Sequence, residues 1–175
     1  PLEKDFRARM GLAAEAGLGA LGPAEGLETD RWAQNEFSGA PLGDDRLSNR
    51  LVEIAGLKAE QPGRAFNGVA GGNWPAVKGY YRLIDKPDES AVSMPNILLP
   101  HRERTIRRMK GQKTVLCIQD GTDLNYSSLA ACEGLGVIGI NQGNSQSRGL
   151  HLHSTLAVSV EGLPLGVLRA DCSAP

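Results

Sequence analysis

The run Thr114–Asp120 constrains the fold most, because the sequence pattern changes there from helical to extended. Upstream of it, apolar residues recur at helical spacing, whereas residues 152–160 alternate between apolar and polar or small. The run itself is apolar and β-branched, which predicts a buried strand that ends in the carboxylate of Asp120. Helices followed by an antiparallel meander make an α+β arrangement. We therefore predict an α+β fold whose pattern changes near residue 111.

The helical part contains two segments with clear start signals. Asp44 is a good N-cap for a long amphipathic helix, and Asn73 is a good N-cap for a shorter one. On the shorter helix, Lys78 and Arg82 stand four residues apart, away from its apolar stripe. A short helix with such a basic face can enter a DNA groove. It can equally be a core helix with two solvated cations, and the pattern does not choose between them.

In the strand-forming part of the chain, the middle segment is predicted to have little regular secondary structure. Residues 121–150 are rich in Gly, Asn and Ser and predict a long loop, which in a compact domain is usually functional. Residues 152–160 predict a second strand, Glu161–Pro164 a hairpin turn, and residues 165–169 a third strand.

Composition narrows the class of protein. Residues 1–30 are rich in Gly and Ala and predict a mobile leader, so the domains are expected at residues 31–111 and 112–175. No apolar stretch is long enough to span a membrane, and no secretory signal is recognisable. The three cysteines fit neither a zinc site nor a disulfide framework, so we expect a cytoplasmic protein without a membrane partner. The chain starts at Pro1 and is expected to be a fragment.

Charge is unevenly distributed along the chain. Residues 44–110 carry twelve basic and eight acidic side chains, and this is the only basic third. The excess points to a polyanionic partner for that third. The arginine-rich run at residues 101–110 is more typical of a solvated helix face than of a binding site.

Asp120 is the best candidate for a metal-binding catalytic acid. A carboxylate at the polar end of a buried strand is costly unless a cation or hydrogen-bond donors satisfy it. The alternative is a turn-forming Asp at a strand end, and the run by itself leaves both open.

Seven short stretches in a fixed order resemble bacterial insertion-sequence transposases of the DDE type, in the cut-and-paste branch that forms hairpin intermediates. The resemblance runs from about residue 31 to the C-terminus. The matching stretches are Trp32–Phe37, Leu42–Leu51, Gly79–Ile84, Pro100–Thr105, Ile118–Tyr126, Ser147–Ser154 and Gly162–Val167.

The resemblance implies a helical N-terminal domain that binds the terminal inverted repeats of an insertion element. It also implies a ribonuclease-H-like core, of which this chain would hold only the opening antiparallel strands. Asp120 matches the family's first catalytic Asp, a ligand of two Mg²⁺ ions that drive phosphodiester hydrolysis and strand transfer. The second Asp and the Glu have no counterparts here, so the resemblance leaves enzymatic activity of this chain uncertain. It further implies a homodimer on paired DNA ends and a nucleoid-associated protein.

The resemblance and the basic charges together suggest a set of DNA contacts. Trp74 could reach base edges or simply pack. Glu60 and Gln61 stand where relatives often carry a cation and an aromatic residue. His101, His151 and His153 are interpreted as structural. The predicted DNA contacts are Arg46, Arg50, Arg64, Trp74, Lys78, Arg82 and Arg148, with Arg148 expected in the loop near the active site.

Two further functions remain open from the sequence. A truncated, non-catalytic copy could occupy inverted repeats and inhibit transposition. A ribonuclease-H-like nuclease unrelated to mobile DNA is the third possibility. Binding to a terminal repeat would count against this third one.

Overall fold

The computed structural model describes residues 19–27, 30–87, 89–129 and 131–175. The chain divides between Gly111 and Gln112 into two compact units, one helical and one built on a sheet. The helices and strands confirm the α+β prediction. Within the described ranges, no helix is long and apolar enough to cross a bilayer.

Among the residues that the structure describes, the helical unit contains five helices. They are α1 (Trp32–Phe37), α2 (Asp45–Glu60), α3 (Phe66–Val69), α4 (Trp74–Ile84) and α5 (Met94–Met109). As predicted, Asp44 caps α2 by accepting a hydrogen bond from the backbone N–H of Arg46, and Asn73 caps α4 by accepting one from that of Ala76. Pro100 lies inside α5, which nevertheless runs without interruption from Met94 to Met109.

Two apolar clusters hold these helices together. The first joins α2 to α4 through Leu51 and Leu83, with the α1–α2 connection contributing Ala40 and Leu42. The second packs α3 on α4 and consists of Phe66, Ala70, Ala76 and Val77. Because both clusters include α4, the two buried sides of this helix are fixed, and its remaining face is left to solvent.

Residues 19–27 make turns and contact α5. Arg107 donates from Nε to the carbonyl oxygen of Gly19 at 3.0 Å, and the backbone N–H of Leu21 donates to the carbonyl oxygen of Arg107. The predicted mobile leader covers residues 1–30, of which residues 1–18, 28 and 29 lie outside the described residues. Its mobility stays a prediction.

The described part of the sheet unit has four antiparallel strands: β1 (Val115–Asn125), β2 (Gly136–Ile140), β3 (Gln146–Ser159) and β4 (Pro164–Ser173). The long strand β3 pairs with β1 along one edge. Along its other edge it pairs first with β2 and then with β4.

Two sequence expectations for this unit are wrong. Residues 121–150 are not an irregular loop, since β1 continues to Asn125, β2 lies within the segment, and β3 begins at Gln146. Backbone hydrogen bonding to β3 extends β1 through the mostly polar residues 121–125. In β2, Val137, Ile138 and Ile140 are β-branched residues that favour a strand. The Thr114–Asp120 run is not buried either, because Leu116 and Ile118 are 48 % and 50 % exposed.

Candidate nucleic-acid interface

A groove lies between the start of α2 and the end of α4, and most of its lining is charged. We call it the α2–α4 groove. Three predicted DNA contacts meet there: Arg46 and Arg50, one helical turn apart on α2, and Arg82 from α4. The residues that line it are Asp44, Arg46, Leu47, Arg50, Arg82, Asp85 and Lys86.

Arg50 reaches the groove because α4 carries a glycine where the two helices cross. Its Nη1 lies 3.5 Å from the carbonyl oxygen of Gly79. A Cβ atom at position 79 would lie only 3.2 Å from Cδ, Nε and Cζ of Arg50. Gly79 therefore lets the Arg50 side chain lie directly against α4, which explains a glycine in a helix interior where it otherwise costs stability.

Arg46 is held at the mouth of the groove by the cap of its own helix. Its Nη2 donates to Asp44 Oδ2 at 2.8 Å, and its Nε lies 3.2 Å and 3.1 Å from the two carboxylate oxygens. Hydrogen bonds from the side chain and the backbone N–H of Arg46 lower the pKa of Asp44 to about 2. Asp44 is therefore ionised at neutral pH, and the groove contains a carboxylate among its cations.

The solvent face of α4 continues the basic surface beyond the groove. Trp74 is 59 % exposed, and Lys78 Nζ lies 5.6 Å from the centroid of its ring, a cation–π geometry. Arg82 follows one helical turn after Lys78 and is exposed. The Trp74 side chain is therefore not buried within the helical unit. Contact with DNA stays a prediction.

Comparison with protein families identifies the part of the chain that carries this groove. Residues 29–88 match the family model described as transposase DNA-binding. The match supports a transposase N-terminal domain with DNA as its partner. Helices α1 to α4 and every residue that lines the α2–α4 groove lie within this transposase DNA-binding region.

The structure adds Asp85 and Lys86 to the groove of the transposase DNA-binding region. Sequence reasoning missed both residues. They directly follow Ile84, the last residue of α4, and Asp85 caps the helix through its backbone N–H, which donates to Tyr81. The only sequence signal for them was an Asp–Lys pair immediately after a basic helix. Where these two side chains point depends on the path of the chain after the helix, which the sequence does not show.

The two other predicted arginines do not line the groove. Arg64 is exposed in the turn between α2 and α3, where its carbonyl oxygen accepts a hydrogen bond from Lys58 Nζ at 2.5 Å. Arg148 lies within β3, so its expected loop position is wrong. Its Nη2 donates to the carbonyl oxygen of Leu135 at 3.0 Å.

Arg148 is also distant from Asp120 within the sheet. Asp120 pairs with Ser154, and Arg148 stands six residues before Ser154 on the same strand. At the usual strand rise this is roughly 20 Å. Arg148 was expected to lie near Asp120, and this expectation is wrong, because the predicted loop is an extended strand.

A buried ionic cluster that no sequence pattern predicted joins α1 to α5. Glu36 is fully buried, and its carboxylate contacts His101 Nδ1 at 2.6 Å, Arg104 Nε at 3.0 Å and Arg108 Nη2. Arg108 is also fully buried, so part of the arginine-rich run is not a solvated face. His101 is structural, as expected.

The neighbours of Glu36 more than compensate for the burial of its charge. Burial by itself raises the pKa of Glu36, but hydrogen bonds and charge from His101 and Arg108 outweigh it, and the net pKa is lowered. The carboxylate is thus ionised at neutral pH although no water reaches it. Such a cluster fixes the position of α1 at the edge of the transposase DNA-binding region.

Asp120 lies in the middle of β1, not at a strand end, and its side chain is exposed. It shares a face of the sheet with Leu116, Ile118 and Ser154. Among the described residues, no three His, Cys, Asp or Glu side chains come together as a metal site. A two-ion site needs several carboxylates, and within the described residues this face does not supply them.

The opposite face of the sheet pairs acidic and imidazole side chains. Asp123 Oδ1 lies 2.9 Å from His151 Nδ1, and His153 lies two residues further on the same face of β3. Asp123 lies within β1. Both partners are about half exposed, so the pair contributes little stability.

Proposed function

We propose that the transposase DNA-binding region binds the terminal inverted repeats of an insertion element through the α2–α4 groove. One observation carries the proposal. Arg46, Arg50, Arg82 and Lys86, from two helices and the segment after α4, converge on one groove inside the matched residues. Guanidinium and ammonium groups at this density suit a phosphate backbone better than any apolar ligand.

The groove and the outer face of α4 have different tasks in this proposal. The groove cations contact phosphates and set the position of the protein on the duplex. The exposed face of α4, with Trp74 and Lys78, contacts the DNA bases or the backbone of the neighbouring DNA strand. Arg64, near the start of α3, adds a flanking phosphate contact. A homodimer would bind the two DNA ends together, and the protein would be associated with the nucleoid.

Salt dependence tests the proposed DNA contact. We expect the chain to bind double-stranded DNA with a log–log slope of affinity against salt of roughly −3 to −6, as for about four to six phosphate contacts. Fluorescence anisotropy with a labelled duplex at several salt concentrations measures this slope. A neutral polymer of similar size serves as the control ligand. Affinity that does not change with salt, or no binding at low salt, would contradict the proposal.

We further propose that the sheet unit belongs to a ribonuclease-H-like catalytic core of the DDE type. The support is the antiparallel β1–β3 pairing, with Asp120 exposed on β1, together with the resemblance of Ile118–Tyr126 to the family's first catalytic strand. Asp120 would be one carboxylate ligand of Mg²⁺. The ion would activate water or a 3′-hydroxyl for attack on a phosphodiester. One carboxylate by itself does not make a two-ion metal site.

The 175 residues by themselves are expected not to nick DNA when Mg²⁺ is added. Relaxation of supercoiled plasmid, followed on an agarose gel, measures nicking. Asp120→Ala is the matched variant, since it removes the proposed ligand from an exposed position. Mg²⁺-dependent nicking by the parent chain that disappears in Asp120→Ala would show that this chain already holds a working site.

A further inference from the structure

The Arg46–Asp44 pair stands out among the charges of the α2–α4 groove. The carboxylate of Asp44 meets both Nε and Nη2 of Arg46, the fork geometry that arginine also offers to phosphate. The Arg46 side chain is 88 % exposed and that of Asp44 is 37 % exposed, so the pair faces solvent at the groove. A phosphate that approaches Arg46 meets a guanidinium whose Nε and Nη2 donors are already bonded to Asp44.

We propose that Asp44 occupies the position of a DNA phosphate on Arg46 and thereby weakens the binding of DNA of any sequence. This inference rests on the proposed DNA-binding function. One guanidinium fork cannot serve the carboxylate and a phosphate fully at the same time. Binding through Arg46 therefore requires Asp44 to release it, and the carboxylate then remains beside the phosphate as a like charge.

Asp44 has a second task that explains why a groove for a polyanion contains a carboxylate at this position. Its Oδ1 accepts a hydrogen bond of 2.8 Å from the backbone N–H of Arg46 and caps α2. Asparagine caps a helix about as well as aspartate does. Replacing Asp44 with Asn therefore separates the two tasks, since the cap stays and the charge goes.

Binding to a labelled duplex of arbitrary sequence tests the inference, with Asp44→Asn compared with Asp45→Asn. Asp45 is the next residue, is exposed, does not line the groove and has the same charge. Asp44→Asn should bind roughly two- to fivefold more tightly than Asp45→Asn, the range expected for releasing one exposed ion pair. Its log–log salt slope should be steeper by about 0.9, equivalent to one more phosphate contact.

A third variant separates the Arg46 fork from a general effect of charge. In the Arg46→Ala background, Asp44→Asn should give no gain beyond that of Asp45→Asn. Equal affinities of Asp44→Asn and Asp45→Asn, or a gain that persists without Arg46, would overturn the inference and leave the proposed function standing. A parent chain that does not bind duplex DNA would overturn both.

Discussion

Replacing Glu36 with Gln should lower the free energy of unfolding of the helical unit by about 3–5 kcal/mol, the usual result of breaking a buried ion pair from one side. Glu36 is fully buried and is the carboxylate that His101, Arg104 and Arg108 share. Glutamine has nearly the same shape but no charge. Its introduction leaves Arg108, which is fully buried, without this anionic partner.

Urea denaturation followed by the helical circular dichroism signal measures this loss. Glu53→Gln is the control, because Glu53 is an exposed residue of α2 and should change stability by less than about 0.5 kcal/mol. Similar midpoints for the Glu36 and Glu53 variants would mean that the buried cluster does not contribute to stability as its geometry indicates.

Replacing Arg50 and Arg82 together with Ala should lower the affinity for duplex DNA by roughly fifty- to a hundredfold at ~0.1 M salt. Each lost phosphate contact flattens the log–log salt slope by about 0.9 and costs roughly eightfold in affinity at that salt. The two side chains come from α2 and α4, and both line the groove. Anisotropy titrations of the single and double variants measure both quantities.

Arg31→Ala is the control for this experiment, since Arg31 is an exposed cation of the same region that does not line the groove. Thermal melts of all variants show whether each still folds, which matters most for Arg50 because its side chain packs on Gly79. If the double variant binds with the same affinity and slope as Arg31→Ala, the DNA-binding face lies elsewhere on the protein.

Local features of this chain were readable from its sequence. The caps at Asp44 and Asn73, the basic face at Lys78 and Arg82, and the change from helices to strands after residue 111 all depend on neighbours within a few positions. Capping hydrogen bonds and helical periodicity act over this range, so a sequence pattern records them directly.

The extent of the sheet was not readable in the same way. Residues 121–125 are mostly polar, and they continue β1 because β3 offers them backbone partners. Residues 136–140, in contrast, contain three β-branched residues and pair with β3 as β2. The same pairing places Asp120 in the middle of β1 and Arg148 within β3. A backbone hydrogen bond between strands depends little on side-chain type, so the extension of β1 has no local signal. Val137, Ile138 and Ile140 did favour a strand, although the segment was predicted to be a loop.

The α+β class, the main helix starts and the residues from which a DNA-binding surface could be built were all predictable from local patterns. That Arg46, Arg50, Arg82 and Lys86 share one groove became visible only in the folded chain. The same holds for the burial of Glu36 against side chains 65 to 72 residues away. The physical reason is range: caps and periodicity act between neighbours, whereas grooves and buried charges arise from packing between distant segments, which determines the surroundings of each side chain.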